Sequence, residues 1–433
     1  MHIQNQTWGQ RDSAVNWHPF TPLKTAGEAI AIVRGEGAYL YDENGKRYID
    51  AIASWWVNLH GHAHPYIAEQ VSDQLRTLEH VIFAGFTHPS AVALSEALLE
   101  VLPGNQSKVF YSDNGSTAIE VALKMSFQYA YNRDQPKSTV LAFRHGYHGD
   151  TFGAMAVSGR SGWTEPFADL LFDVIHIDLP TEANLPEIQA FIDHHADQIA
   201  CFVYEPLVQG AGGMRMYEAA HLDTLLRYCR SKGMLLVQDE IFVGFGRTGR
   251  MFAADHLTEK PDIMCLSKGL TGGTMPLGVT TCTADIHEAF RTDNVYGTLF
   301  HGHSFTANPL ACRAALASLH LLKSAETQAA IARIAHQHAQ FRARVATHAI
   351  IHSVRQCGVI LAMNLGDDGA DSYFRNQCKP VFGALLQKGI LLRPLGNVLY
   401  LVPPYCISDA DLQYCYDSII EVLTESVIEI SIE

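Results

Sequence analysis

The chain has 433 residues, with 48% apolar and 18% charged side chains. That length leaves room for two or three domains of roughly 150 residues and a core that needs no disulfide or metal staple. The formal net charge of −14 disfavours nucleic acid or anionic lipid as the main partner, because phosphate binding needs clustered Lys and Arg.

The N-terminal stretch MHIQNQTWGQRDS is polar and lacks the apolar core of a signal peptide. No run approaches the ~18 apolar residues that would span a bilayer. The nine cysteines are scattered without a CxxC pair, as expected of thiols in a reducing compartment. A cytoplasmic protein is expected.

In chain order, GEGAYLYDENGKRYID (35–50) reads as a hairpin turning at Asn44-Gly45. From about residue 105, short apolar runs alternate with helical stretches. The runs are 109–111, 140–143, 174–177, 200–204, 235–237 and 263–266; the helices include Thr117 to Tyr131 and about Ala219 to Ser231. Continuous apolar runs suit strands buried on both faces, and the alternation predicts an α/β fold with a mainly parallel sheet. Further helices are expected from Pro309 to about Leu322 and on to about Ala346. Strand-like runs follow at 350–354 and 399–402, as in a smaller α+β domain. The division expected is a large domain over 53–324, with 1–52 and 325–433 forming the small one.

Ligands of an open parallel sheet bind at the carboxyl ends of its strands, so the residues that follow each run matter most. After 109–111 comes SDNGST, where Thr117 and Glu120 fit a capping box opening a helix. Free first-turn amides and a close-approach glycine, Gly115, suit a phosphate; a capped helix without a ligand has the same sequence. Arg144 to Asp150 follow 140–143, and Glu205-Pro206 follow 200–204. Asp239 ends a buried run and needs a donor or a cation, either a cofactor's ring N–H⁺ or an internal Arg. Lys268 ends another. Desolvation there would lower its pKa and free a nucleophilic amine, although a solvated lysine just past a strand is the plainer alternative. A phosphate-binding helix start, an Asp and a Lys at three strand ends together describe a pyridoxal phosphate (PLP) site.

Two other patterns carry less. Gly244-Phe-Gly-Arg-Thr-Gly249 matches G-x-G-x-x-G, but it does not sit directly between a strand and a helix, as dinucleotide binding requires. His60, His62 and His64 alternate, but no carboxylate or cysteine cluster completes a metal site, and none is expected.

The motifs GS (115–116), YHGD (147–150), EP (205–206), DEIFVGFGRTG (239–249) and SKGLTGG (267–273) resemble those of the class III aminotransferases of PLP fold type I. The resemblance covers nearly the whole chain. WHPF (17–20), SWW (54–56), EPLVQGAGGMRMY (205–217), HGHSFTANPLAC (301–312) and LLRPLGNVLYLVPPY (391–405) are similar to the branch of that family that aminates 8-amino-7-oxononanoate in biotin biosynthesis.

The resemblance implies roles for matching positions. Lys268 is the Schiff-base lysine and Asp239 the partner of the pyridinium nitrogen. Gly115 and Ser116 form the phosphate loop, Tyr147 covers the ring, and Glu205 belongs to the cofactor surround. Gly302, His303 and Ser304 form a loop offered by the partner subunit of a homodimer. Phe20, Trp55, Asp150 and Tyr400 line the substrate pocket with Tyr147, and Arg393 takes the oxo-acid carboxylate. Phe20 stands where enterobacterial members carry Tyr, keeping the apolar wall and losing a hydroxyl. His303 and Ser304 replace Pro and Thr, and the serine keeps a hydroxyl. The expected amino donor is S-adenosylmethionine, with lysine used by some relatives. The alternatives are a class III enzyme acting on an ω-amino acid such as 4-aminobutyrate or ornithine, and a non-enzymatic PLP-binding regulator.

Overall fold

The computed structural model describes residues 6–365 and 378–430, with backbone alone for 426–430. Its central sheet has seven strands in the order Gln106–Ser112, Gly278–Thr283, Ile263–Leu266, Leu235–Asp239, Ile199–Tyr204, Thr139–Phe143, Val174–Ile177. From 263–266 across to 174–177 every pairing is parallel. Gly278–Thr283 runs antiparallel to both its neighbours.

Six of these strands fall on the apolar runs of the sequence. In Ile199–Tyr204 every residue is buried, which follows from helices covering both faces. Alternate side chains feed separate cores. Cys201 and Val203 pack with Ile119 and Ala122 of the helix Gly115–Asn132, whereas Phe202 and Tyr204 join the larger cluster with Leu222 and Leu226. The helix Ala219–Ser231 buries Leu222, Leu225, Leu226 and Cys229, the i, i+3, i+4, i+7 stripe of an amphipathic helix.

The seventh strand, Gly278–Thr283, is not among the runs read from the sequence. It opens on a glycine and carries three threonines, so it has no apolar run. A Cβ at Gly278 would lie 2.2 Å from the Asn114 carbonyl. Only glycine lets this strand pass so close to the start of the helix Gly115–Asn132.

The hairpin at the N-terminus forms as expected, Tyr39–Asp42 against Arg47–Asp50, with Gly45 at φ 81° in its turn. Arg47–Asp50 then pairs in parallel with Ile390–Leu391. That pairing draws Arg393 toward the turn at 53–56. Three antiparallel strands, Ile351–Cys357, Ile360–Leu365 and Val398–Leu401, form a separate sheet. Helices Pro309–Leu322 and Ala325–Val345 match the expected ones. Among the described residues no helix is long and apolar enough to cross a membrane. All nine cysteines are free thiols.

Candidate active site

The strand ends converge. Gly115, Ser116, Tyr147, Glu205, Asp239 and Lys268 line one cleft of about 430 Å³ at the carboxyl edge of the parallel strands. Asp239 is in register with Cys265 on the neighbouring strand, three residues before Lys268.

The helix start differs from the sequence expectation. Asn114, not Thr117, is the N-cap: its side chain accepts from the Thr117 amide at 3.0 Å, and Thr117 is the third helical residue of that box. Glu120 takes no part in it. Its carboxylate accepts from Thr151 Oγ1 (2.5 Å) and the amides of Gly153 (2.8 Å) and Ala154 (3.2 Å). It thereby caps the short helix Phe152–Val157 from outside. T-x-x-E fits locally, but unpaired amides 33 residues away claim the carboxylate. The phosphate logic survives, because the amides of Gly115 and Ser116 have no intrahelical partner and carry the helix's positive end. Ser116 Oγ accepts from the Asp150 amide at 3.2 Å. The Asp150 side chain is exposed.

Asp239 is 3% exposed. Its partner is neither an arginine nor solvent. Oδ2 lies 2.7 Å from His148 Nδ1, and Oδ1 accepts from the Ile241 amide. Burial works against a charge on His148, but the hydrogen bond and charge of Asp239, with the charge of Glu205, raise its pKa overall. The raised pKa favours an imidazolium at His148, hydrogen-bonded to Asp239. His148 lies inside the 144–150 loop but carried no assignment, because its partner is 91 residues away in the chain. Glu205 accepts from the Tyr147 and Gly210 amides. Burial raises its carboxyl to about 7, aided by Asp239 and opposed by His148 and the two amides.

Lys268 Nζ lies 4.7 Å from the Trp56 ring centroid and 5.8 Å from that of Phe242. Burial lowers the amine to about 8, with Asp239 and Glu205 pulling the other way.

A second aromatic group forms around Trp55, the residue before Trp56. The Arg393 guanidinium sits 4.4 Å above the Trp55 ring. Phe20 packs edge-on against both Trp55 and Trp163, each at 5.6 Å; Trp163 was not expected. Tyr400 is placed differently from the expectation of a pocket-lining residue. It is 1% exposed and receives the Trp56 indole N–H at 3.2 Å, so it backs Trp56. Gly302 and Ser304 are exposed, and the turn 302–304 does not line the cleft of its own chain.

The two weaker patterns are structural. Arg247, in the glycine-rich 244–249 turn, is 1% exposed and donates to the carbonyls of Pro403, Trp56 and Asn58. His62 pairs with Asp50 at 2.9 Å, and His60 with Ser318 at 3.1 Å.

A lysine, a histidine-backed aspartate and a helix start meeting at the carboxyl edge of a mostly parallel sheet are the arrangement of a PLP-dependent transaminase. The chain belongs to the class-III aminotransferases, whose family model matches residues 23–423. It is 46% identical to the adenosylmethionine-8-amino-7-oxononanoate aminotransferase of Synechococcus elongatus, over 94% of this chain and 98% of that one. The crystal structure of the enzyme of that name from Methanocaldococcus jannaschii superposes with a TM-score of 0.92 at 34% identity, covering 96% of this chain and 98% of that one. An amine transaminase from an uncultivated Pseudomonas species, solved in its PLP-bound form, gives a TM-score of 0.88 at 28% identity, covering 95% and 98%.

Proposed function

We propose that this chain is the aminotransferase that converts 8-amino-7-oxononanoate to 7,8-diaminononanoate in biotin biosynthesis, as the shared name of its relatives indicates. The observation that carries the reading is the Arg393–Trp55 stack, one residue along the chain from the Trp56 that faces Lys268. It holds a carboxylate-binding guanidinium on the ring next in sequence to the one that faces the nucleophilic amine. Bidentate Arg–carboxylate pairing is among the stronger hydrogen-bond types, and an acidic chain needs such a placed cation to hold an anion.

The residues of the cleft fit pyridoxal phosphate. The amides of Gly115 and Ser116 and the Ser116 hydroxyl suit its phosphate. A Cβ on Gly149 would come within 2.1 Å of Ser116 Oγ, so this corner is built around glycine. Asp239, oriented by its hydrogen bond to His148, suits a protonated ring nitrogen, and Tyr147 supplies a ring to cover it. When bound, PLP supplies the electron sink. Lys268, with its lowered pKa, supplies the amine that takes a proton from the donor carbon and returns it to the acceptor. Arg393 orients the oxo-acid, and Trp55, Trp56 and Phe20 exclude water from its aliphatic chain.

S-adenosylmethionine is the proposed donor, and the proposed setting is the cytoplasm. The proposed assembly is a homodimer in which the 302–304 turn of one chain completes the cleft of the other. Exposed Phe300 and Phe305, 61% and 62% accessible, flank that turn and support the assembly. A substrate panel tests the function: the protein aminates 8-amino-7-oxononanoate, and Lys268→Ala abolishes turnover. Conversion of 4-aminobutyrate but not of the oxo-acid would assign it to the ω-amino acid enzymes.

A further inference from the structure

Trp163 has no part in the chemistry described above, yet it is held with unusual care. It sits in the turn 161–164. There the Ser161 amide donates to Thr164 Oγ1 (3.0 Å), the Thr164 amide to the Ser161 carbonyl (2.9 Å), and the Trp163 amide to Ser161 Oγ (3.3 Å). Thr164 itself is 5% exposed and anchors the turn. The indole is 41% exposed, and the Phe20 ring that packs edge-on against it is 42% exposed. Phe20 also packs edge-on against Trp55, the ring that carries Arg393. An aromatic ledge therefore runs from Trp55, the ring beneath Arg393, through Phe20 to Trp163.

The oxo-acid has no use for the outer end of this ledge. It is aliphatic, and its carboxylate is met at Arg393. A flat, rigid, partly exposed indole instead suits a planar heteroaromatic ring, because every nucleobase has a π-face and stacking needs no hydrogen-bond code. Of the donors weighed for this family, S-adenosylmethionine carries a purine and lysine carries no ring.

We propose that Trp163 is a specificity-determining residue that selects the amino donor by stacking its purine. The proposal rests on the functional reading above and names the surface that discriminates between donors. Half-reactions of the holoenzyme test it, with S-adenosylmethionine, lysine and 7,8-diaminononanoate as separate amines and adenosine as a competing ligand. Stacking on one aromatic side chain is worth ~1–3 kcal/mol, or about 5- to 150-fold. Trp163→Ala should lower kcat/KM for S-adenosylmethionine by that factor and weaken adenosine binding equally. The diamine half-reaction should stay within about twofold on the same stacking argument. Trp163→Phe, which keeps a π-face, should recover most of the loss.

Equal losses with both amines would make Trp163 merely structural and overturn the proposal. So would an unchanged S-adenosylmethionine reaction, or a wild-type preference for lysine. Failure of the wild-type enzyme with the diamine would instead sink the functional reading. In that case adenosine binding, read by fluorescence quenching in wild type and Trp163→Ala, still tests the ledge.

Discussion

Lys268 is an ammonium-forming residue in a place that solvates ammonium poorly. Burial lowers its pKa to about 8, against a usual value near 10.4. The faces of Trp56 and Phe242 offer some cation–π attraction, but not enough to replace lost water. The neutral amine is therefore about a quarter of the population near pH 7.5, against about one part in a thousand for an ordinary lysine. In the cofactor-free protein, trinitrobenzenesulfonate labelling of Lys268, followed by peptide mapping, should rise with pH through a midpoint near 8. The negative charge of Asp239 holds that pKa up, so Asp239→Asn should move the midpoint lower. A wild-type midpoint near that of a solvated lysine would show that the pocket does not prepare the amine.

Four consecutive non-glycine residues, Ala53, Ser54, Trp55 and Trp56, have φ of 51°, 45°, 69° and 74°. They form one turn of left-handed helix, closed by the Trp56 amide on the Ile52 carbonyl and the Val57 amide on the Ala53 carbonyl. Each L-residue in that region costs roughly 1–2 kcal/mol, so something outside the turn must hold it. Asp50 does. It is 0% exposed and accepts from the Ser54 amide (2.9 Å), the Ser54 hydroxyl (2.7 Å) and His62 Nε2 (2.9 Å). Asp50→Ala should destabilise the protein by about 3–5 kcal/mol, the usual effect of breaking a buried pair, and red-shift tryptophan emission as the turn relaxes. An unchanged urea midpoint would show the turn to be self-supporting. The motif SWW is visible in the sequence, but its handedness is not, because Ala, Ser and Trp would all sit in an ordinary right-handed helix. The same division holds elsewhere. Strands buried on both faces leave apolar runs, and one-sided helices leave stripes, so most of the central sheet and the helices Ala219–Ser231 and Pro309–Leu322 were legible. Features settled by distant contacts were not: the Glu120 cap, the His148–Asp239 pair, the burial of Tyr400 and the strand that Gly278 admits.

At the scale of the whole molecule, the proposed homodimer completes each cleft with a turn from the second chain. The turn 302–304 is separate from its own cleft, and Phe300, Phe305 and Tyr296 lie near it with more than half their surface in water. A net charge of −14 gives no general attraction for a phosphate, so the groups that hold one must be placed, and a hydroxyl lent by a second copy would be such a group. In the proposed homodimer, two-fold symmetry would exchange that turn in both directions. Two inactive variants can then rescue each other. Lys268→Ala keeps a sound turn, and Ser304→Asp keeps a sound lysine but turns a carboxylate toward the phosphate site. After mixing and re-equilibration, about half of the dimers pair one of each, and each such dimer has one intact cleft. Activity should return to about a quarter of the wild-type value, while either variant alone stays inactive. If the cleft is completed within one chain, the mixture stays as inactive as its components, and the dimer contributes nothing to the chemistry.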